Sequence, residues 1–467
     1  MSGIVLGVPA AVLSLQQQGL LERAFHDGLF PNLAYRAEAM PEEWPANTGQ
    51  QIFMTRAGLL NTITTPITPG TDPQPQTVPF EQWIATLSQF AGAVDTHMPS
   101  STTANSNLFL RNLHQLGLQA GQSINQIARN SLFQAYLSGQ TVLNGATLTG
   151  DTTIRVSSLN GFTDVVVPGG NVAPQPVSAA FPLPITIGSV GGSPAQATKS
   201  VVGFIPDNPN DLLGPGTLQL STTVGAAFAT RSTVKSAYAP RVARSAAGDS
   251  VDAISASDGF SLQQCINAVA FLRRANVQPH DDGFYHAHIS PLANAQLFAD
   301  PVFQRLNQSL PEHVIYKEGF VGYMHNVMFF MNNESPESFN SGAITNTALS
   351  GQYAAGIGAE ITNGTGVPIG RVLITGKGSI YERYLNEDQY VTEAGTVGKI
   401  GEFDVVNNAI KILTEGIRLV LRAPQDRLQQ VVSAAWSIST CFPTPSDITA
   451  PSGPERFKRA IVLEYAT

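Results

Sequence analysis

The spacing of apolar residues changes several times along this chain, and each change marks a different kind of element. Helical spacing runs from Val12 to Phe25, followed by a segment with Pro and Glu too poor in apolar residues for a core of its own, so residues 1–50 read as an arm. Gln51–Arg56 is a predicted strand, and Phe80–Ala91 is a second ordered segment anchored by Trp83. Between them, Asn61–Pro79 carries Pro66, Pro69, Pro73, Pro75 and Pro79, with Asp72 as its only charge and Ile63 near its start. A loop of this length in a compact chain is functional or disordered more often than not, and its prolines lower the entropy lost when it is laid against another surface.

The longest helical pattern runs from about Asn105 to Ser138. Leu113, Leu116, Ala120, Ile124, Ile127 and Ala128 share one face, Gly139 supplies a stop, and the helix would be about 50 Å long. Gly117 and Gly121 each lower helix propensity by about 1 kcal/mol relative to Ala, which predicts a bend or break. From Ala146 to Ser245 the period shifts to short strands between turn residues: Thr152–Ser158, Val165–Val167, Ile185–Ile187, Ser200–Ile205, Thr217–Thr222 and Ser232–Ala237. These predict a small barrel or sandwich.

A compact module follows. Ser257 or Asp258 is the predicted cap of a helix carrying Leu262, Ile266, Val269 and Leu272, which ends before Pro279. Asp281-Asp282-Gly283 is a turn and Phe284–Ile289 a strand, after which Ser290-Pro291 and Asp300-Pro301 each offer a cap followed by proline at the first helical position. Gly319 and Gly322 precede a strand at Val327–Met331. Beyond it, Ser335–Gly370 is rich in small polar residues, and Arg371–Leu385, Glu402–Ile412, Ile417–Arg422 and Ala460–Tyr465 carry further strands or a short helix. Leu428, Val431, Val432, Ala435 and Trp436 combine helical spacing with β-favouring residues and leave the state of that stretch open.

Composition adds a constraint. The 467 residues suffice for two to four domains, yet only 13% are charged, about half of the roughly 25% usual in a soluble domain. A surface of small neutral groups is cheap to desolvate, as an obligate oligomer requires; a β-rich secreted protein would have the same composition. A net charge of −8 with scattered Lys and Arg argues against gripping nucleic acid by counterion release. Two cysteines, Cys265 and Cys441, make no disulfide framework, and neither a signal peptide nor a membrane span is expected, which suits a cytoplasm.

Candidate chemistry is sparse. His286 and His288, one residue apart on a strand, point to the same face, and Asp282 could complete a facial metal triad; the weightier alternative is polar histidines at a strand edge. Gly376-Lys377-Gly378-Ser379 lacks the upstream glycine and the following hydroxyl residue of a phosphate loop. No catalytic residue, metal or cofactor is expected.

The element order over Leu272–Asn333, with LRRANVQPHDDGFYHAHISPLANAQLFADPVFQRL leading into EGFVGYMHNVMFFMNN, and the C-terminal RLVLRAPQDRLQQVVSAAWS resemble major capsid proteins of tailed double-stranded DNA phages, in the branch of podovirus-like capsids with a β-rich insertion. The resemblance implies an α+β, HK97-like capsid fold: N-terminal arm 1–50, extended E-loop 51–100, spine helix and first part of the peripheral domain 101–145, inserted all-β subdomain 146–250, axial domain 251–405 and peripheral return 406–467. It implies a non-enzymatic shell subunit that forms pentamers and hexamers around the genome without sequence-specific DNA contacts. Expected partners are a separate scaffolding protein, a portal and a decoration protein, with assembly in the bacterial cytoplasm and residence in the virion. The E-loop residues Ile63, Pro66, Pro69, Asp72, Pro73, Pro75, Pro79 and Trp83 become the candidate inter-subunit contacts. A tail, decoration or adhesion protein is the main alternative, and a metal enzyme on the His286/His288 strand the lesser one.

Overall fold

A computed structural model describes residues 20–29, 34–45, 48–57, 60, 63–76, 78, 80–103, 108–165, 174–189, 195–209, 211–245, 250–307, 322–332, 363, 365–385, 403–404, 409–414, 416–422, 427–428, 430–447 and 456–467. In chain order the elements are α1 (Leu20–Leu29), a 3-10 turn at Arg36–Glu38, β1 (Met40–Glu43), β2 (Gln51–Ala57), β3 (Phe80–Thr86), β4 (Ser88–His97), α2 (Met98–Thr103) and α3 (Leu108–Tyr136). There follow β5 (Gln140–Val142), β6 (Thr153–Val156), β7 (Asp164–Val165), β8 (Gln175–Pro176), β9 (Leu183–Gly188), β10 (Ala197–Pro206), β11 (Gly216–Leu220), β12 (Thr233–Ser236) and β13 (Val242–Arg244). After these come α4 (Leu262–Arg274), β14 (Tyr285–Ile289), α5 (Pro291–Ala299), α6 (Pro301–Asn307), β15 (Tyr323–Met324) and β16 (Val327–Met331). The last are β17 (Ile369–Thr375), β18 (Tyr381–Tyr384), β19 (Phe403–Asp404), β20 (Ala409–Thr414), β21 (Ile417–Arg422), β22 (Val431–Cys441) and β23 (Ala460–Ala466). The chain is thus α+β, and it divides into two compact units: Met1–Ile52, Ile84–Arg129 and Ile380–Pro443 form one, and Phe53–Trp83, Asn130–Ser379 and Thr444–Thr467 the other.

In the first unit a seven-stranded sheet runs β1-β18-β22-β21-β20-β19, with β4 also paired to β22. The undecided stretch around Trp436 is therefore a strand: β22 holds a ten-residue antiparallel ladder with β4, from Val431 opposite His97 to Thr440 opposite Ser88. Its β-branched residues favour the pleated surface, and the ladder decides against the helical spacing. Phe80–Ala91, expected as one segment, is split between β3 and β4. The spine pattern forms one continuous α3 of 29 residues, about 43 Å long, with Gly117 and Gly121 inside it and no break. The structure gives Gly117 a different task from bending. A Cβ there would lie 2.3 Å from the Phe25 carbonyl oxygen, and one on Gly28 would lie 2.5 Å from the His114 carbonyl oxygen, so the two glycines let α1 and α3 cross backbone to backbone. Residues 1–19 lie outside the described residues, and α1 continues past Phe25 to Leu29.

The second unit contains a barrel and a layered sheet. The six strands β5-β12-β9-β10-β11-β6 are antiparallel throughout. The Leu143–Val156 bridge, with Asn144 N–H to Arg155 O at 2.8 Å and Ser157 N–H to Val142 O at 3.1 Å, joins the first strand to the last. Closure removes both sheet edges and encloses an apolar core that includes Leu143, Ile154, Leu183, Ile187, Val201, Leu218 and Phe228. The sixth barrel strand is β5, directly after the long helix, while among the described residues β7 pairs with β8; Val166 and Val167 lie outside them.

The central module builds the mixed sheet β13-β23-β17-β14-β16-β15. On one face α4 presents Leu262, Cys265, Ala268, Val269 and Leu272 to a core with Ala287, Val372, Ile374, Ile461, Leu463 and Tyr465. Ser261, rather than Ser257 or Asp258, precedes α4, its N–H bonded to Gln264 Oε1 at 3.2 Å. Asp258 is already engaged, accepting from the Ser255 N–H and hydroxyl in the preceding turn. Ser290 caps α5 by accepting from the Ala293 N–H, and Asp300 accepts from the Val302 N–H at the start of α6, as the Ser-Pro and Asp-Pro pairs predict. Ala460–Ala466 lies in this sheet, antiparallel to β17. Both faces of β17 and β23 are covered, which suits their Val, Ile and Leu content.

Candidate functional site

Strands β2 and β3 form a two-stranded ribbon, and the described residues 63–76 between them are all exposed. Its tip is built by the sequence Thr68-Pro69-Gly70-Thr71. Proline presets the first central position, Gly70 takes φ +90° at the second, and the Thr71 N–H closes the turn on Thr68 O at 3.1 Å. The Thr71 hydroxyl donates to the same carbonyl at 2.7 Å. Apolar side chains face solvent all along the segment: Ile63 is 67% exposed and Phe53 62%, with Leu60, Ile67, Val78 and Phe80 beside them in the same state. Pro66, Pro69, Asp72, Pro73 and Pro75 are likewise exposed, and Pro79 lies outside the described residues. Trp83 is different. At 7% exposure it is packed inside the chain at the base of the ribbon, unlike the other described contact candidates.

That base also holds an ionic cluster. Arg56 on β2 reaches Asp447 Oδ1 at 2.5 Å and Glu81 Oε1 on β3 at 4.0 Å; Arg459 Nε lies 3.2 Å from Asp447 Oδ1, and Ser446 Oγ donates to Glu81 Oε2 at 3.2 Å. Burial, followed by the negative charge of Glu81, pushes the Asp447 carboxyl up to about 7 against the opposing pull of Arg56. None of these five polar residues was singled out from sequence as part of a site. The exposed apolar residues were also missed except Ile63, because an apolar residue in a loop gives no sequence signal of which way it points.

The histidines behave as parts of a sheet. His286 Nε2 lies 2.8 Å from Asp282 Oδ2, and its ring stacks on His280 with centroids 3.9 Å apart. His288 is fully buried and stacks on Phe330 of the neighbouring strand. Burial raises the Asp282 carboxyl, but bonds from the Phe284 N–H and from His286 outweigh it and hold the group below its usual range. Among the described residues, Asp282, His286 and His288 do not bring three ligand atoms within reach of one ion, which corrects the facial-triad alternative. Gly376–Ser379 is a turn after β17, with Lys377 ion-paired to Asp281. Cys265 is buried in the α4 face, where desolvation pushes its thiol up strongly, and burial pushes the half-buried Cys441 up to about 12, which disfavours the thiolate at both.

Fold and site together define a mixed α+β protein that presents a proline-stiffened ribbon, with exposed apolar side chains and Asp72 as the one charge of its loop, on an ionic base. No family model matches the chain, and no curated protein is similar to it. Among solved structures it is similar to the capsid of the cyanophage P-SCSP1u, at 11% identity and a TM-score of 0.44 over 94% of this chain and 88% of that one. The capsid of Ralstonia phage GP4 aligns at 12% identity and a TM-score of 0.43, over 94% and 91% of the two chains. The capsid of cyanophage Pam1 aligns at 10% and 0.43, over 90% and 86%.

Proposed function

We propose that this chain is the major capsid protein of a tailed phage with an HK97-like fold, self-assembling into pentamers and hexamers that enclose double-stranded DNA. The observation that carries the reading is the β2–β3 ribbon. An isolated two-stranded ribbon is marginal in water, and this one also exposes Phe53, Leu60, Ile63, Ile67, Val78 and Phe80. Exposed apolar surface of this kind marks a contact face, and fully burying one such side chain contributes about 1.5–3 kcal/mol. The ribbon is a contact arm for a second copy of the chain, with the prolines of 63–76 reducing the entropy lost on docking. The 13% charged content supports the same reading, because few ions must leave water when copies pack. A separate scaffolding protein, a portal and a decoration protein are the proposed partners, with assembly in the bacterial cytoplasm.

Negative-stain microscopy with light scattering on the chain coexpressed with a scaffolding partner tests this. Closed shells or hexamer-sized rings are expected. A monodisperse monomer, dimer or trimer overturns the reading. Deleting Thr65–Pro79 should leave a folded chain that forms no closed shell, and normal shells from that variant would remove the contact role from the loop.

A further inference from the structure

One cleft in the second unit is lined by cations, in a chain whose net charge is −8. It lies where the lead-in to β13, the C-terminal end of α4 and the start of β23 converge, and encloses about 360 Å³. Arg241, Phe271, Arg274, Arg456, Phe457 and Lys458 line it, and no acidic residue does so among the described residues. Four of the chain's 26 Lys and Arg residues therefore meet in one small volume of a protein with net charge −8.

Only one of the four is held in an ion pair, and Lys458 also lies in the field of the Asp447 carboxyl. Arg456 Nη1 pairs with Asp164 Oδ2 at 3.2 Å, whereas Arg241, Arg274 and Lys458 have no carboxylate within ion-pairing distance among the described residues. The aromatic residues hold the guanidinium groups in place. Arg241 Cζ sits 4.1 Å above the Phe271 ring and Arg456 Cζ 5.1 Å from the Phe457 centroid, so the planar forks are presented with restricted freedom. Phe457 itself adopts φ +53°, uncommon for a bulky side chain, and is kept there by its N–H bond to Ser446 O at 2.8 Å and by the edge of Tyr136. Backbone held in such a conformation concentrates at ligand sites.

We propose that this cleft binds a phosphate-bearing anion. A single carboxylate would neutralise one of the three unpaired cations. A phosphoryl group carries up to two charges and enough acceptor oxygens for both guanidinium forks and the ammonium, and 360 Å³ suits a phosphate with an attached sugar. The chemistry is shared by a polynucleotide backbone and a free phosphate, and the binding is independent of whether the chain builds a shell.

The test titrates pyrophosphate into the purified full-length chain by calorimetry, and short labelled single-stranded and duplex DNA by fluorescence anisotropy, beside an oligoglutamate peptide. One saturable pyrophosphate site per chain is expected. Arg241→Gln with Arg274→Gln, both exposed positions, should weaken it by about tenfold or more, as loss of charge-assisted hydrogen bonds implies. Lys458→Gln alone should weaken it less, and serves if the double variant fails to fold; Arg23→Gln with Lys199→Gln, outside the cleft, should change nothing. DNA that displaces pyrophosphate identifies a polynucleotide backbone as the source, and DNA that does not identifies a small phosphate. Absent pyrophosphate binding, binding unchanged in the cleft variants, or oligoglutamate bound in preference to every phosphate probe would each overturn the proposal.

Discussion

The β2–β3 ribbon and the central sheet of the second unit solve the problem of a half-covered β surface in opposite ways. In the sheet, β17 and β23 are covered on both faces, and the one row of charge is enclosed: Arg371 Nε and Nη2 each lie 2.9 Å from Glu464 Oε1, and Arg244 Nε lies 2.9 Å from Glu464 Oε2. The row crosses three neighbouring strands in register, with Arg371 and Arg244 both opposite Glu464. The ribbon buries Met54 and Trp83 at its base but places Phe53, Leu60, Ile63, Ile67, Val78 and Phe80 in water. The sheet is finished within one chain, whereas the ribbon reaches a comparable state only against a second surface. Substitutions in the sheet should therefore act on folding, and substitutions in the ribbon on association.

The largest effect separating the two is expected at Glu464. Replacing it with Gln leaves Arg371, which is 0% exposed, and Arg244 without their carboxylate, and breaking a buried pair on one side costs about 3–5 kcal/mol. Urea denaturation measures this directly. Replacing all three members with apolar residues of similar volume should recover most of the loss, since removal of a whole buried ionic group is often neutral or stabilising. A Glu464→Gln loss below about 1 kcal/mol, the range of an exposed pair, would show that the row does not tie the strands together.

The next effect is at the crossing of α1 and α3. Gly117→Val puts a side chain where the Phe25 carbonyl oxygen already lies, and overpacking of this kind costs about 1–3 kcal/mol even though valine is the better helix former. Thermal melting of Gly117→Val beside Gly121→Val sharpens the point. Stabilisation by Gly117→Val would mean that the glycine serves as a flexible joint, as the spacing alone suggested.

These cases mark what was legible in the sequence. The long helix, the central Ser-Pro and Asp-Pro caps and most barrel strands were readable because each depends on local signals: period, cap residue, or turn residue. Gly117 was read as a weakness because propensity is local while the Phe25 backbone that needs the space is more than ninety residues away. Glu464 sits in AIVLEYA, and a lone acid in an apolar strand is a visible anomaly, but nothing near it indicates that Arg244 and Arg371 would meet it. The ribbon's ionic base fails in the same way: Arg56 and Glu81 flank the loop, and Asp447 lies far along the chain. Trp83 was read as a contact because aromatic residues favour interfaces as well as cores.

A smaller effect is expected from pH, and it acts at the joint between the two regions. Asp447 is held at about 7 in the folded chain against about 4 for an ordinary aspartate, so folding favours its protonated form. That contribution is fully present below about pH 4 and is lost as pH rises through 7. The groups facing it are Arg56, Glu81, Lys458 and Arg459. Hydrogen exchange of the β2 and β3 amides should accelerate between pH 5 and pH 8 beyond its intrinsic dependence. Asp447→Asn should flatten that excess while keeping an acceptor for Arg56; an identical excess in the variant would move the titration elsewhere.

The smallest effect on stability belongs to the ribbon surface, and there the contrast is sharpest. Ile63→Ser with Ile67→Ser removes two large apolar side chains that touch little in their own chain, so the denaturation midpoint should stay within about 0.5 kcal/mol of the parent. If the ribbon docks on a second copy, the same pair should abolish ordered assembly, because each lost side chain removes burial worth about 1.5–3 kcal/mol at every contact of the lattice. A folding loss as large as that of Glu464→Gln would mean that these side chains are already packed within the chain. Unchanged folding together with unchanged assembly would mean that the apolar surface faces water in every state of the protein, and the ribbon would then have no claim to be a contact arm.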